Sequence, residues 1–156
     1  MRKRLISQPQ ADDALADENW LDLESLAEVE ITSEAALYPI ESALLPGEGA
    51  GWQAAQPGEQ TIRIRFDRPQ TLRRIRLLFA EPETARTQEF ALRWSPDGQS
   101  FKEIVRQQYT FSPPGTMQEA EDYRVDLPGV TILELQIIPD ISGGEAKASL
   151  AQLRLA

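Results

Sequence analysis

TIRIRF, residues 61–66, is the stretch of this sequence that decides its fold class. Ile62, Ile64 and Phe66 alternate with two arginines, so an extended chain places the apolar side chains on one face and both charges on the other. A helix would distribute the same residues around its axis. The alternation therefore predicts a β-strand with one face buried and one face in water.

Seven further stretches have the alternation, or the apolar, β-branched and aromatic composition, that is typical of strands. No long helical pattern lies between them, and turn-forming residues separate most of them. Many short strands with turn signals predict an antiparallel sandwich or barrel. In chain order the eight predicted strands are residues 29–33, 61–66, 72–79, 90–94, 101–111, 123–127, 131–138 and 149–155.

Short and long connections alternate between these strands. SPDG at residues 95–98 has proline and glycine where a tight hairpin turn favours them. If consecutive strands run antiparallel, all the long connections leave the sandwich at one end. Loops carried on rigid sheets form many binding surfaces, so we predict that the function lies at this end. The long connections are residues 33–60, 80–88, 112–120 and 139–148.

Length and composition predict one globular domain. The chain has 156 residues, of which 41% are hydrophobic and 26% are charged. Residues 1–13 are interpreted as a short flexible tail and residues 14–156 as the domain, which begins with a short helix or an irregular lead-in. The basic residues at positions 2–4 are not followed by the apolar run of a secretory signal, so a cytoplasmic location is expected. No apolar run reaches the length of a membrane span.

The net charge of −9 is unevenly distributed. Residues 1–60 carry 12 acidic and 3 basic side chains, whereas the remaining 96 residues carry 13 of each. A nucleic-acid-binding protein needs a surplus of Lys and Arg to displace counterions from phosphates, so no nucleic-acid partner is expected. The acidic third is interpreted as a solvated face, with an acidic docking surface as the alternative.

Arginines are concentrated between positions 63 and 76. Arg63 and Arg65 share the outward face of one predicted strand. The cluster is interpreted as an exposed strand face crossed by salt bridges, with an anion site as the alternative.

The chain contains no histidine and no cysteine. This excludes Ser-His-Asp and Cys-His catalysis and zinc sites with imidazole or thiolate ligands. Glu81, Glu83 and Glu89 could hydrolyse a glycosidic bond if two of their carboxylates lay about 5 to 10 Å apart. Surface glutamates often cluster without any catalytic role, so we predict a binding protein rather than an enzyme.

The order of several short motifs resembles that of the discoidin, or coagulation factor 5/8 type C, domains. The resemblance covers nearly all of the chain after residue 28. It implies the galactose-binding-like fold, here an eight-stranded antiparallel jelly-roll β-sandwich, and a mostly non-catalytic domain whose long loops bind glycans, phospholipid head groups or proteins. The motifs are ITSE at residues 31–34, YP at 38–39, ESAL at 41–44, GW at 51–52, residues 62–67, residues 90–98 with Phe101, and residues 150–155.

Two properties of the resembling family are altered in this sequence. Many members bind a structural calcium ion through an Asp-Gly-Asp segment in the first loop and a carboxylate near the last strand. Residues 45–49 read LPGEG here, and Gln152 stands near the last strand. Calcium prefers several anionic oxygen ligands, so no cofactor is predicted. The first loop carries four glutamates and no basic residue, so it would be repelled by an anionic membrane and no membrane partner is expected.

The predicted ligand is a glycan held by the long loops, and the alternative is a protein partner bound by a cytoplasmic interaction adaptor. An aromatic ring could stack on a sugar, and polar groups could hydrogen-bond its hydroxyls. Trp52 has a second interpretation, in which it packs beneath the first loop. No catalytic residue is predicted. The predicted ligand-binding residues are Tyr38, Trp52 and Tyr109 as aromatic groups, and Glu41, Glu83 and Arg86 as hydrogen-bonding groups.

Overall fold

The computed structural model describes residues 20–47 and 49–156, so the predicted tail at residues 1–13 and Glu48 of the first loop lie outside the described residues. Within the described residues, no helix is long and apolar enough to cross a membrane. In chain order the elements are α1 (Leu23–Leu26), β1 (Ala27–Ile31), α2 (Glu41–Leu44), β2 (Trp52–Pro57), β3 (Gln60–Ala80), β4 (Arg86–Ser95), β5 (Lys102–Phe111), β6 (Gln118–Ile138), β7 (Lys147–Leu150) and β8 (Gln152–Leu155).

The long strands β3 and β6 bend in the middle and contribute to both layers of the sandwich. Before its bend β3 pairs with β1 and with the end of β6, and after it β3 pairs with β8 and with the start of β6. The ladder between β3 and β6 shifts register between Arg65 and Arg74, where both strands cross between layers. β4 and β5 extend the first layer, and β2 and β7 form a separate antiparallel pair. The predicted eight-stranded antiparallel fold is confirmed.

The core lies between the two layers. Phe79 of β3 and Phe90 of β4 belong to strands that do not pair, yet their ring centroids are 5.1 Å apart. The alternation in TIRIRF has the predicted consequence, because Ile62 and Ile64 are buried whereas Arg63 is exposed. Burial of this apolar face is the main stabilising contribution that the alternation encodes.

The predicted strands differ from the observed ones in several places. The stretches 61–66 and 72–79 are the two arms of β3, and 123–127 and 131–138 are the two arms of β6. Pairing continues through the bend, as in Gln70 with Val130, so no turn interrupts either strand. The stretch 149–155 divides into β7 and β8 at Ala151. β2 lies inside a predicted long connection, because its sequence WQAAQP has no β-branched residue and depends on β7 for its pairing.

The ends of the strands bring all the long connections together, as predicted. Because β3 and β6 fold back on themselves, each begins and ends at the same end of the sandwich. β4 starts and β5 ends there too, so the connections 32–51, 81–85, 112–117 and 139–146 leave from neighbouring positions. The pairs that show this are Gln60 with Ile137, Glu89 with Ile138, Arg86 with Phe111 and Ala80 with Gln118.

The outward face of β3 carries the predicted salt bridges. Arg63 Nε and Arg93 Nη1 donate to the two carboxylate oxygens of Glu134 at 2.6 and 3.0 Å, and Glu134 itself is fully buried beneath them. Arg65 pairs with Glu30 of β1 at 3.2 Å. The arginines therefore join β1, β3, β4 and β6 across one sheet.

Candidate functional site at the loop end

Backbone hydrogen bonds tie the long connections to one another and to the neighbouring strands and turns. The amide of Glu81 donates to Met117 O at 2.8 Å, which joins the connections 81–85 and 112–117. The amide of Ile141 donates to Thr87 O at 2.8 Å, and that of Gly58 donates to Ala146 O at 3.4 Å. The loop end is therefore one continuous surface.

A groove of about 460 Å³ opens on this surface between the first long connection, the 81–85 connection and β7. We call it the loop-end groove. Tyr38, Trp52 and Glu83 line it together, so the structure brings three of the predicted ligand-binding residues to one place. The other lining residues that carry polar side chains are Gln53, Glu81, Lys147 and Ser149. Sequence reasoning missed Gln53, Lys147 and Ser149.

Tyr38 is half-buried and its backbone is fixed on both sides. Its amide donates to Ala35 O at 2.9 Å, and its carbonyl accepts the amide of Gln53 at 3.2 Å. These bonds hold the turn at residues 35–38 against β2. Leu37, the preceding residue of the turn, is 84% exposed. The tip of the first connection therefore presents an aromatic and an aliphatic side chain at the loop end.

Trp52 lines the loop-end groove from beneath the first connection, where its ring is almost completely buried. Its side chain is 1% exposed, and its Nε1 donates to Ser33 O at 3.0 Å. Gly51 makes this packing possible, because a Cβ at this position would lie 2.6 Å from Leu150 O and φ is +84°. The structure favours the second interpretation of Trp52, since a buried ring has no free face for a sugar.

Arg86 is buried as well, and the prediction that it bonds a ligand hydroxyl does not fit its position. Its Nε donates to Glu81 Oε1 and its Nη1 to Pro139 O, both at 2.7 Å. The guanidinium carbon lies 4.9 Å from the centre of the Phe111 ring. Arg86 thus joins two of the long connections to the end of β5 and acts as a positioning residue.

Glu81 links Arg86 to the backbone of the connection that carries Glu83. Its Oε2 accepts the amides of Glu83 and Thr84 at 3.0 and 3.1 Å. Burial alone would raise the pKa of Glu81, but the Arg86 guanidinium and these two amides lower it below its ordinary value. The carboxylate therefore stays charged and holds the short connection that carries Glu83.

The remaining two predicted residues lie away from the loop-end groove. Glu41 belongs to α2 and lines other surface depressions beside Leu45. Tyr109 lies on β5, where its hydroxyl donates to Gln118 O at 2.7 Å and its ring packs edge-on against Phe111. Tyr109 thus links β5 to β6, and neither residue shares a site with Tyr38.

Arg154 of β8 contacts the first connection beside residues 45–49, the stretch that corresponds by resemblance to the calcium-binding segment of the family. Its guanidinium donates to Ala43 O at 2.9 Å and to Leu45 O at 3.2 Å, at the end of α2. Among residues 20–47 and 49–156, no three carboxylates come close enough to hold a metal ion. A positive side chain on the loop carbonyls and an amide at Gln152 do not fit a calcium site.

Millimolar calcium should therefore shift the melting temperature by less than about 1 °C, and a chelator should have no effect. Differential scanning calorimetry with calcium, with magnesium and with EDTA measures this. The magnesium sample controls for ionic strength. A rise of several degrees in calcium but not in magnesium would show that a site exists despite Arg154.

The two-layer jelly roll with a groove at its loop end defines a galactose-binding-like β-sandwich. The family model for the F5/8 type C domain matches residues 18–151. The chain therefore belongs to the F5/8 type C family, which confirms the resemblance to discoidin domains. No curated protein sequence matches the chain.

Solved structures share this fold at low identity. One is CBM32-3 of a family 31 glycoside hydrolase from Clostridium perfringens, 20% identical over 87% of this chain and 93% of that one, with a TM-score of 0.63. Another is the family 32 CBM of C. perfringens NanJ in complex with galactose, 12% identical over 87% and 96%, with a TM-score of 0.63. A third is the CBM32 of AlyQ in complex with 4,5-unsaturated mannuronic acid, 14% identical over 89% and 98%, with a TM-score of 0.63.

Proposed function

We propose that this chain is a non-catalytic carbohydrate-binding module that takes a sugar residue in the loop-end groove. The observation that carries the proposal is that Tyr38 and Glu83 come together there, on connections that are ordered by backbone and side-chain hydrogen bonds. Galactose and an unsaturated mannuronic acid are bound by structures of the same fold, which supports a sugar as the ligand.

The groove has the two kinds of group that sugar recognition uses. The Tyr38 ring offers an apolar face for the C–H groups of a pyranose, and its phenol remains a hydrogen-bonding group. Glu83 accepts hydrogen bonds from hydroxyls, Lys147 donates them, and Gln53 does both. Because these side chains come from two connections and from the strands β2 and β7, the sugar would be held on several sides.

The proposal that the module is non-catalytic is supported by the lowered pKa values of Glu81 and Glu89, two of the three carboxylates considered for glycoside hydrolysis. A glycosidase needs a carboxylic acid with a raised pKa to protonate the leaving oxygen. The Arg86 ion pair and two amides lower the pKa of Glu81 despite its burial, and hydrogen bonds from Gln108 and Arg106 lower that of Glu89. Neither group is suited to donate a proton near neutral pH.

Replacing Tyr38 with alanine should raise the dissociation constant for the best glycan about tenfold, because the stacking face is lost. The melting temperature should change by no more than about 2 °C, since the backbone bonds of the turn remain. A glycan array selects the ligand and isothermal titration calorimetry measures the affinity.

Met117→Ala is the matched control, because it removes an exposed apolar side chain at the same end that does not line the groove. It should leave glycan affinity unchanged. An array without a hit, or equal affinity for the Tyr38→Ala variant and the wild type, would contradict the proposed function.

The alternative of a protein-interaction adaptor stays a prediction, as does a cytoplasmic location. An array without a hit, together with stoichiometric recovery of one protein from the source lysate, would favour the adaptor.

A further inference from the structure

A second groove, which we call the β1 groove, runs between β1 and the two short helices and has a volume of about 380 Å³. It shares no lining residue with the loop-end groove. Its apolar lining comes from Val29 and Ile31 on one side and from Leu23, Ile40 and Leu44 on the other. A groove of this size and composition can hold several aliphatic side chains.

Within residues 20–47 and 49–156, no strand pairs with the second backbone edge of β1, which lies beside this groove. β1 pairs with β3 and ends the sheet order. The amide of Thr32 donates to Thr61 O at 3.1 Å, which fixes the alternation of the antiparallel ladder. In that alternation the N–H and C=O groups of Val29 and Ile31 point away from β3. They are therefore placed to pair with one more strand.

The charge around the β1 groove is negative. Glu24, Glu34 and Glu41 line it, and Glu28 lies on the exposed face of β1. Among residues 20–47 and 49–156, Glu24, Glu28 and Glu41 have no cationic side chain within salt-bridge distance. A ligand with positive charges would find unneutralised carboxylates on both sides of an apolar floor.

This combination selects one kind of occupant. A second copy of the chain would bring the same carboxylates together across an antiparallel edge, and like charges at that distance repel. A sugar would find no aromatic ring among the residues that line the groove. An extended peptide would satisfy the free backbone groups, and alternate side chains could enter the groove while the others meet the carboxylates.

We propose that the β1 groove binds an extended peptide in which apolar residues alternate with lysine or arginine, and that the peptide adds a strand to the free edge of β1. The proposal is independent of the proposed glycan binding, because the two grooves share no residue. Affinity comes from the added backbone hydrogen bonds and the apolar floor, and selectivity for a basic sequence comes from Glu24 and Glu41.

The test uses fluorescence anisotropy with the full chain and a fluorescein-labelled octapeptide of alternating lysine and valine. The wild-type chain should bind this peptide, and an octapeptide of alternating glutamate and valine should bind at least about tenfold more weakly. Glu24→Gln combined with Glu41→Gln should weaken binding of the lysine peptide about fivefold to tenfold and reduce its dependence on salt. The matched control combines Glu59→Gln with Glu145→Gln, which removes two exposed charges elsewhere.

Strand addition itself is tested by Val29→Pro. The amide of Val29 points away from β3, so proline removes the outward donor without breaking the ladder to β3. Peptide binding should fall about tenfold. Hydrogen exchange on the wild-type chain gives a second measurement, because the amides of Val29 and Ile31 should exchange at least about tenfold more slowly in the peptide complex.

Three results would overturn the proposal. The first is equal affinity for the lysine and glutamate peptides, and the second is unchanged exchange at Val29 and Ile31 in the peptide complex. The third is binding of the lysine peptide by a chain that lacks residues 1–11 but not by the full chain, which would make the basic segment at residues 2–4 the occupant. If Val29→Pro does not fold, the charge variants and the hydrogen-exchange measurement still test the proposal. Loss of glycan binding in any of these variants would bear on the proposed function of the loop-end groove and would not count against peptide binding in the β1 groove.

Discussion

Replacement of Trp52 by alanine is expected to lower the free energy of unfolding by about 4 kcal/mol, a large part of the total stability of a domain of this size. The ring is fully buried, so its loss removes apolar contacts and leaves a cavity beneath the first connection. Ser33 O also loses the donor that the indole Nε1 provides at 3.0 Å. The start of the first connection would no longer be tied to β2.

Urea denaturation followed by far-UV circular dichroism measures this loss without relying on the fluorescence of the removed tryptophan. Trp52→Phe should cost about 1 to 2 kcal/mol, because it keeps most of the buried area but not the N–H donor. Trp94→Ala is the matched control, since Trp94 is partly exposed on β4 and should cost clearly less.

The alanine variants of Tyr38 and Trp52 are therefore expected to have different effects on glycan binding and on stability. Tyr38→Ala should weaken glycan binding with little effect on stability, whereas Trp52→Ala should affect stability first. If Trp52→Ala instead retained the wild-type free energy of unfolding and lost glycan affinity, the ring would be a ligand contact. The role given to Tyr38 would then need to be reassigned.

The alternation of apolar and polar residues predicted the fold class and the loop end correctly, although several predicted strand boundaries were wrong. TIRIRF and its counterparts gave eight strands and the end at which the loops gather. The bend of β3 contains Pro69 and the bend of β6 contains Gly129. Proline and glycine are also typical of hairpin turns, so the sequence did not distinguish these bends from hairpins. Only the pairing across the bend, as between Gln70 and Val130, makes each pair of arms one strand.

The site was predicted less well, for a physical reason that two residues show. Lys147 enters the loop-end groove from β7, more than a hundred residues after Tyr38, and no local pattern marks that meeting. Arg86 was assigned to a loop, but the period of two that buries Phe90 and Gln88 continues back to Arg86. Extending that alternation by four residues would have predicted that the arginine faces inward.

The same alternation places a carboxyl group inside the sandwich. Glu119 begins the inward-facing series of β6 and is 1% exposed. Its Oε1 accepts Gln88 Nε2 at 2.9 Å and its Oε2 accepts Gln107 Nε2 at 3.3 Å. Gln107 also donates to Glu121 Oε1 at 2.7 Å, so the two carboxyl groups share one neighbour. Burial, opposed by the bond from Gln88 and reinforced by the charge of Glu121, raises the pKa of Glu119 to about 7.

This shift makes stability depend on pH in a direction opposite to that of a salt-bridged carboxylate. The folded-state pKa of about 7 lies above the ordinary value of 4.5, so the folded chain binds the proton more tightly than the unfolded chain. The contribution is fully present below pH 4.5 and is lost as pH rises through 7. Between about pH 5 and about pH 8 the free energy of unfolding should fall by roughly 2 to 3 kcal/mol.

Glu119→Gln should remove this dependence and make the domain more stable than the wild type at about pH 8. The amide oxygen can still accept from Gln88 and the new NH₂ group can donate to Glu121, while the 3.3 Å bond from Gln107 is lost, so the buried network keeps its other partners without a buried charge. Urea denaturation at several pH values measures both slopes. Glu145→Gln, an exposed change on the 139–146 connection, is the control and should keep the wild-type slope. Equal slopes for the Glu119→Gln variant and the wild type would mean that Glu119 ionises normally in the fold. The decline would then have to come from another group.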